Sequence, residues 1–145
     1  MKKKKEAPIF WIVTFLIVGL IGYADAVYLT AAHYTSGGPV CAVGLGCDIV
    51  AASEYSTIGP IPVALLGTLF YALMLFWGVL WLDIRKNQLF RWLPLVTIPA
   101  FLFSMWLLYA MAFLIEAFCE YCILSGGTTT MLMLISLVLR KKHSD

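Results

Sequence analysis

Four apolar runs dominate the chain, about Ile9 to Tyr34, Pro62 to Leu82, Trp92 to Ile115 and Tyr121 to Leu139. Each is near the roughly 20 residues that a helix rising 1.5 Å per residue needs to cross a bilayer core. The chain has 145 residues, of which 62% are hydrophobic and 12% charged, about half the charged fraction of a soluble domain. Lipid is therefore the solvent for most of it. The expected fold is all-α: an integral membrane bundle of four transmembrane helices, forming a single domain over residues 1–145 with an outer capping loop. That length leaves no room for a soluble catalytic module, so any soluble partner is another chain.

Lys2 to Lys5 precede the first run in the manner of a signal peptide. A signal core spans only about 7 to 15 residues before a small-residue cleavage site, whereas apolar and aromatic residues here continue to Tyr34. The first run is expected to remain as a membrane span.

Charge sets the orientation. All ten Lys and Arg residues lie in Lys2 to Lys5, in the Arg85, Lys86 and Arg91 connection, or in Arg140 to Lys142. With four spans these positions share one side, which the positive-inside rule assigns to the cytoplasm. Both termini are then cytoplasmic, and the basic clusters need no nucleic-acid partner. The remaining connections, about 35 to 61 and 116 to 120, hold Asp48, Glu54, Glu116 and Glu120 without a Lys or Arg. They face outward.

The four cysteines fall on that outer side: Cys41 and Cys47 in the first connection, Cys119 and Cys122 where the second enters the last helix. Envelope and lumenal compartments allow disulfides to persist. One reading makes both pairs structural staples. It suits Cys41 and Cys47, because a loop rich in Gly37, Gly38, Gly44 and Gly46 gains order from a crosslink. It suits Cys119-Glu120-Tyr121-Cys122 less well, since bridging a two-residue gap removes little loop entropy. A dithiol at a helix start has a reason to react instead: free N–H groups and the positive dipole end favour thiolate, the attacking species in disulfide exchange. Four thiolates also make a common zinc ligand set, but the five-residue gap between Cys41 and Cys47 exceeds the usual two to four. No metal is expected.

The order and spacing of these residues resemble the vitamin K epoxide reductase family, in particular its short prokaryotic members without a fused thioredoxin-like domain. The resemblance rests on Cys41 and Cys47 followed by Asp48-Ile49-Val50, on Ser53, on Gly59-Pro60-Ile61-Pro62-Val63 with Gly67 beyond, and on Phe118-Cys119-Glu120-Tyr121-Cys122. It implies a thiol oxidoreductase of the prokaryotic cell membrane that supports disulfide formation outside the cytoplasm. Electrons would pass from a reduced thioredoxin-like protein through Cys41 and Cys47 to Cys119 and Cys122, and then to a membrane quinone as co-substrate. Cys122 would face the quinone, with Ser53 near its head, and Cys119 would exchange with Cys47. Two polar groups that hold quinone or epoxide oxygens in the animal enzymes have no like residue at the aligned Val63 and Gly126. That departure favours quinone reduction over the alternative, quinone-epoxide reduction. Another four-helix quinone-linked oxidase, disulfide bond formation protein B, carries its Cys-x-x-Cys in the first outer loop, the reverse of the order here. The non-enzymatic alternative is a membrane scaffold whose disulfides only tie its loops.

Other residues invite narrower expectations. Asp25 lies inside the first span, where an ionisable side chain costs at least a few kcal/mol; a structural hydrogen bond and a proton-handling role are the two readings. The segment from Asp48 to Tyr55 is expected to form a short helix with Asp48 and Ser53 as candidate caps, lying across the bundle mouth over the quinone. Pro60 and Pro62 suit the entry to the second span, and Thr97 and Pro99 are expected to kink the third. Trp77, Trp81, Trp92 and Trp106 read as interface anchors or packing. His33 is expected to be satisfied by a local hydrogen bond, and His143 to be inert.

Overall fold

The computed structural model describes residues 9–35, 46–84, 86 and 88–144. Four long helices carry the four runs: α1 (Ile9–Tyr34), α3 (Val63–Ile84), α4 (Leu89–Tyr109) and α5 (Glu120–Ser144). All four are long and apolar enough to cross a membrane, the third span continuing to Ile115 and the fourth running from Glu120 to Lys142. Between the first two spans lie a short helix α2 (Cys47–Ala52), a 3-10 turn (Glu54–Ser56), and a two-residue hairpin of β1 (Thr57–Ile58) and β2 (Ile61–Pro62). The hairpin is antiparallel, with Thr57 opposite Pro62 and Ile58 opposite Ile61.

Side chains such as Phe10, Ile17, Leu69, Phe76, Leu102 and Phe113 point outward, as expected where the surroundings are as apolar as a core. Inside, Phe15 of α1, Tyr71 and Met74 of α3, Leu93 of α4, and Leu132 and Leu139 of α5 are almost fully buried. Association in lipid depends on close packing and interhelical hydrogen bonds, and both are present. Gly22 lies directly against the Tyr71 ring, so a β-carbon there would overlap it. The Thr97 hydroxyl meets that of Ser136 at 2.9 Å, joining α4 to α5, and Thr30 meets Thr68 at 3.1 Å, joining α1 to α3. The Tyr71 hydroxyl lies 2.9 Å from the Ser125 carbonyl, 2.6 Å from Thr128 Oγ1 and 2.9 Å from Thr129 Oγ1.

The helices pack in the order α3, α1, α5, α4, with α1 against both α3 and α5, and α5 against α4. The seam between α3 and α4 is the loosest. Its end nearest the connection between the two helices is tied where Trp77 Nε1 donates to the Leu89 carbonyl at 3.1 Å.

Several local expectations need correction. The segment after the first cysteine pair is helical, with Ser53 as its C-cap as expected, but its N-cap is Gly46 and not Asp48. Asp48 falls inside the first turn, and Ser53 ends the helix, its hydroxyl donating to the Val50 carbonyl at 2.6 Å. Pro62 precedes the second span rather than opening it, because it is held in the hairpin. α4 runs as one helical segment with Pro94 and Pro99 inside it and passes into a π-helical turn at Ala110–Ile115, which the sequence did not signal. Thr97 serves as a cross-helix fastener.

Candidate functional site

The site begins at the end of the third span. A π turn widens the helix by one residue per turn and is a frequent feature of functional sites. Here it is closed by Glu116, which takes the left-handed conformation (φ 56°), while Ala117 N–H donates to the Met111 carbonyl at 3.3 Å. The reversal lets the Cys119 N–H donate to the Met111 thioether sulfur at 3.3 Å. Met111 thus positions Cys119 by a single soft contact. No motif in the sequence marked it, since a lone methionine in an apolar run reads as packing.

Cys119 immediately precedes α5 and occupies its N-cap position. Its sulfur accepts hydrogen bonds from the Cys122 side chain and from the Cys122 and Tyr121 backbone N–H groups. The Cys122 hydrogen bond is the largest influence and, with the two backbone donors, outweighs burial and the Glu120 charge, so the Cys119 thiol is lowered from 9.0 to about 6. The N-terminal reactivity expected from the Cys-x-x-Cys position therefore falls on its first cysteine.

Cys47 reaches the same place from the other connection. Gly46, at φ 130°, takes a backbone conformation that residues with a β-carbon rarely adopt. A β-carbon there would sit 3.1 Å from the Phe118 carbonyl oxygen and 3.2 Å from Ala117 Cβ. The missing side chain lets α2 press on the second connection, and Cys47, Met111 and Cys119 form one buried cluster with Cys122 packed beside it. Cys47 and Cys119 are 2% and 1% exposed, so neither sulfur is open to solvent. Cys47 is disulfide-bonded, whereas Cys119 and Cys122 are free thiols. Cys41, the remaining candidate, lies outside the described residues.

Beside this cluster is a cavity of about 330 Å³, floored by α5 and walled by α1, α3 and α4. Cys47, Cys119 and Cys122 all border it, as do Val50 and Ser53 from the segment above. Val63 and Gly126 also line the cavity, so the two positions singled out for lacking a polar group belong to one wall system. The hydroxyl-bearing Ser125, Thr129 and Tyr71 line it as well. His33 lines the cavity too, making an edge-to-face contact with Tyr34 (centroids 5.4 Å apart). His143 has no described side chain. Among the described residues no group of three or more His, Cys, Asp or Glu side chains is arranged to hold a metal.

Asp25 is 6% exposed, and neither carboxylate oxygen has a hydrogen-bond partner. The expected structural hydrogen bond is therefore not made. The carboxylate lies within electrostatic range of Cys119 and Cys122. One turn further along α1, Tyr28 packs on Tyr121 with ring centroids 4.9 Å apart, which brings this part of α1 against the first turn of α5.

A family model described as "Vitamin K epoxide reductase family" matches residues 13–137. No curated protein matches the sequence.

Proposed function

The chain belongs to the vitamin K epoxide reductase family, whose members are membrane oxidoreductases acting on thiols and quinones, and on that premise we propose that it oxidises protein thiols outside the cytoplasm and reduces a membrane quinone. Electrons enter from a reduced thioredoxin-like protein at the Cys41 and Cys47 pair, move to Cys119 and Cys122, and leave to a quinone in the apolar cavity. The observation that carries the reading is the convergence of Cys47, Cys119 and Cys122 on that one cavity.

Cys119 is the exchange point. A sulfur in one cluster with Cys47 and bonded to Cys122 can form a disulfide with either in turn, as thiol-disulfide exchange through mixed disulfides requires. Cys122, half-buried and bordering the cavity, is the sulfur that faces the quinone ring. Oxidised Cys47 beside a reduced Cys119 and Cys122 pair matches the stage after the inner couple has received electrons and before the quinone takes them. The loose seam between α3 and α4 gives a lipid-soluble quinone a lateral way in. Val50 and Ser53 cover it from above. Apolar Val63 and Gly126 in the cavity wall favour a quinone over its epoxide. The positive-inside charge pattern places both termini in the cytoplasm and this cavity toward the outer leaflet of a prokaryotic cell membrane.

The test is turnover in detergent with a dithiol reductant and a short-chain quinone, followed by loss of quinone absorbance. Wild-type turnover that disappears in Cys122→Ala supports the reading. A folded wild type that leaves several quinones untouched overturns it, and the cysteines then revert to staples.

A further inference from the structure

A buried carboxyl group with no partner is an expensive feature, because burial without a compensating bond costs several kcal/mol and favours the neutral form. Such groups survive where chemistry uses them. Asp25 is of this kind, both oxygens lacking a partner within a closely packed bundle. Its position is also specific. Ala26, the next residue, borders the cavity, Tyr28 touches the first turn of α5, and the carboxylate senses the charge of both inner cysteines.

The reaction proposed above has a proton requirement that the cysteines alone do not meet. Reducing a quinone to a hydroquinone takes two electrons and two protons. The Cys119 and Cys122 pair supplies both electrons when it closes to a disulfide. If Cys119 reacts as a thiolate, only the Cys122 thiol still carries a proton. The second must come from elsewhere within an apolar cavity.

We propose, building on the quinone-reducing reading, that Asp25 stores that second proton. In the reduced state the site holds one negative charge, on the Cys119 sulfur, with Cys122 as a thiol and Asp25 as a neutral acid. When the quinone accepts two electrons, Cys122 gives one proton and Asp25 the other. The products are the Cys119–Cys122 disulfide, a hydroquinone and the Asp25 carboxylate. Two protons and two electrons have moved, and the buried charge remains one negative unit throughout. Keeping that charge constant avoids the cost of creating or destroying an ion in low dielectric at each turnover.

The titratable groups facing Asp25 among the described residues fit this scheme. Cys119, Cys122 and Tyr121 approach from the start of α5, with Glu120 acting on Cys119 and Tyr121. Tyr28 lies one turn along on α1, and Tyr71 of α3 lies one turn back, against Gly22. Lysine, arginine and histidine are absent from this set, so no cation is available to stabilise two anions together. The carboxylate and the thiolate therefore exclude one another.

Redox-difference infrared spectroscopy of the wild type tests the proposal directly. A protonated carboxyl band is expected in the reduced protein and should be replaced by a carboxylate band when the inner couple closes, with both signals missing in Asp25→Asn. In the same variant, single-turnover oxidation of the reduced couple by a short-chain quinone should slow at least tenfold, while alkylation of Cys119 at fixed pH is unchanged or faster. Asp25→Glu should recover part of the rate. A wild-type spectrum without a carboxyl change overturns the proposal, as does a folded Asp25→Asn protein with the wild-type single-turnover rate. Closing the couple with diamide separates this idea from the reading beneath it, because the carboxyl signal can then be sought even in a protein that leaves quinones untouched.

Discussion

The Cys119 sulfur offers the most quantitative expectation, because its ionisation is set by named donors. The largest of these is the Cys122 side chain, and the thiol is lowered from 9.0 to about 6. At pH 7 the thiolate share then rises from about one in a hundred to about nine in ten, roughly a 90-fold gain. A more acidic thiolate is also a weaker nucleophile, and a Brønsted slope of about 0.4 to 0.5 over about three units costs roughly 16- to 32-fold. The net advantage at pH 7 is about three- to sixfold. It grows at pH 6 and reverses by pH 9, where the ordinary thiol is already about half ionised and the weaker nucleophile loses. Cys122→Ala removes the principal donor but keeps the two backbone N–H groups, so the ionisation should move up from about 6 toward 9.0. The assay is iodoacetamide alkylation of Cys119 from pH 5 to 10, with Cys41 and Cys47 replaced by alanine so that no other sulfur exchanges with it. The two rate profiles are expected to cross, with the Cys122-containing protein faster in acid and slower in base. Profiles with the same midpoint, or a midpoint near 9 with Cys122 present, would refute the argument.

Other consequences follow from the same contacts. Gly46→Ala places a β-carbon in an unfavourable backbone region and against Phe118, at a cost of about 1 to 3 kcal/mol; turnover driven by a thioredoxin-like protein should fall at least tenfold, while a pre-reduced inner couple should still reduce quinone at its usual rate. Ser53→Ala removes the hydroxyl that donates to the Val50 carbonyl and is expected to raise the KM for quinone several-fold; an unchanged KM means that this segment does not cover the ring. Tyr71→Phe deletes the hydroxyl shared by Ser125, Thr128 and Thr129 and should lower stability by about 1 to 2 kcal/mol, seen as an earlier thermal transition in detergent. The depressed Cys119 ionisation also stabilises the folded state, fully above about pH 9, where the unfolded thiol is ionised, and the contribution is lost as pH falls through about 6. Cys119→Ala should flatten that part of the stability profile.

The membrane spans were legible in the sequence because the governing signal is additive: about 20 apolar residues specify a span whatever their order. That Cys47, Cys119 and Cys122 meet at one end of the bundle was legible for a related reason, since span count decides which connections share a side. What escaped the reading depended on backbone geometry rather than residue type. The π turn at Ala110–Ile115 and the left-handed Glu116 bring Met111 to Cys119, yet nothing in that apolar run distinguishes them from regular helix. Ser53 does end α2, but its start was misassigned because Asp48 has a suitable side chain, whereas the actual N-cap, Gly46, is chosen for its missing one. The bond from Thr97 to Ser136 on another helix also went unread, because it is a long-range contact that no local window contains. The hydrogen bond anticipated for Asp25 failed for the opposite reason. General chemistry says that a buried carboxylate finds a partner, and its lack of one is specific to this site.

Access, rather than relative redox potential alone, gives the proposed relay its direction. Cys119 is 1% exposed and enclosed by Cys47, Met111 and the first turn of α5, so a folded protein cannot approach its sulfur. A thiol on a neighbouring loop can. Electrons from a bulky donor must then pass through the loop cysteines before reaching the helix-capped pair, and a lipid-soluble quinone meets that pair from the cavity. A direct reaction of quinone with the incoming protein is avoided because the bulky protein stays outside the packed bundle while the quinone occupies its cavity. This separation has a measurable signature. In the reduced protein, iodoacetamide should alkylate Cys119 at least tenfold faster than a bulky membrane-impermeant maleimide does, relative to their rates with a small free thiol. Equal relative rates would place Cys119 within reach of large partners and remove the steric basis for an ordered relay.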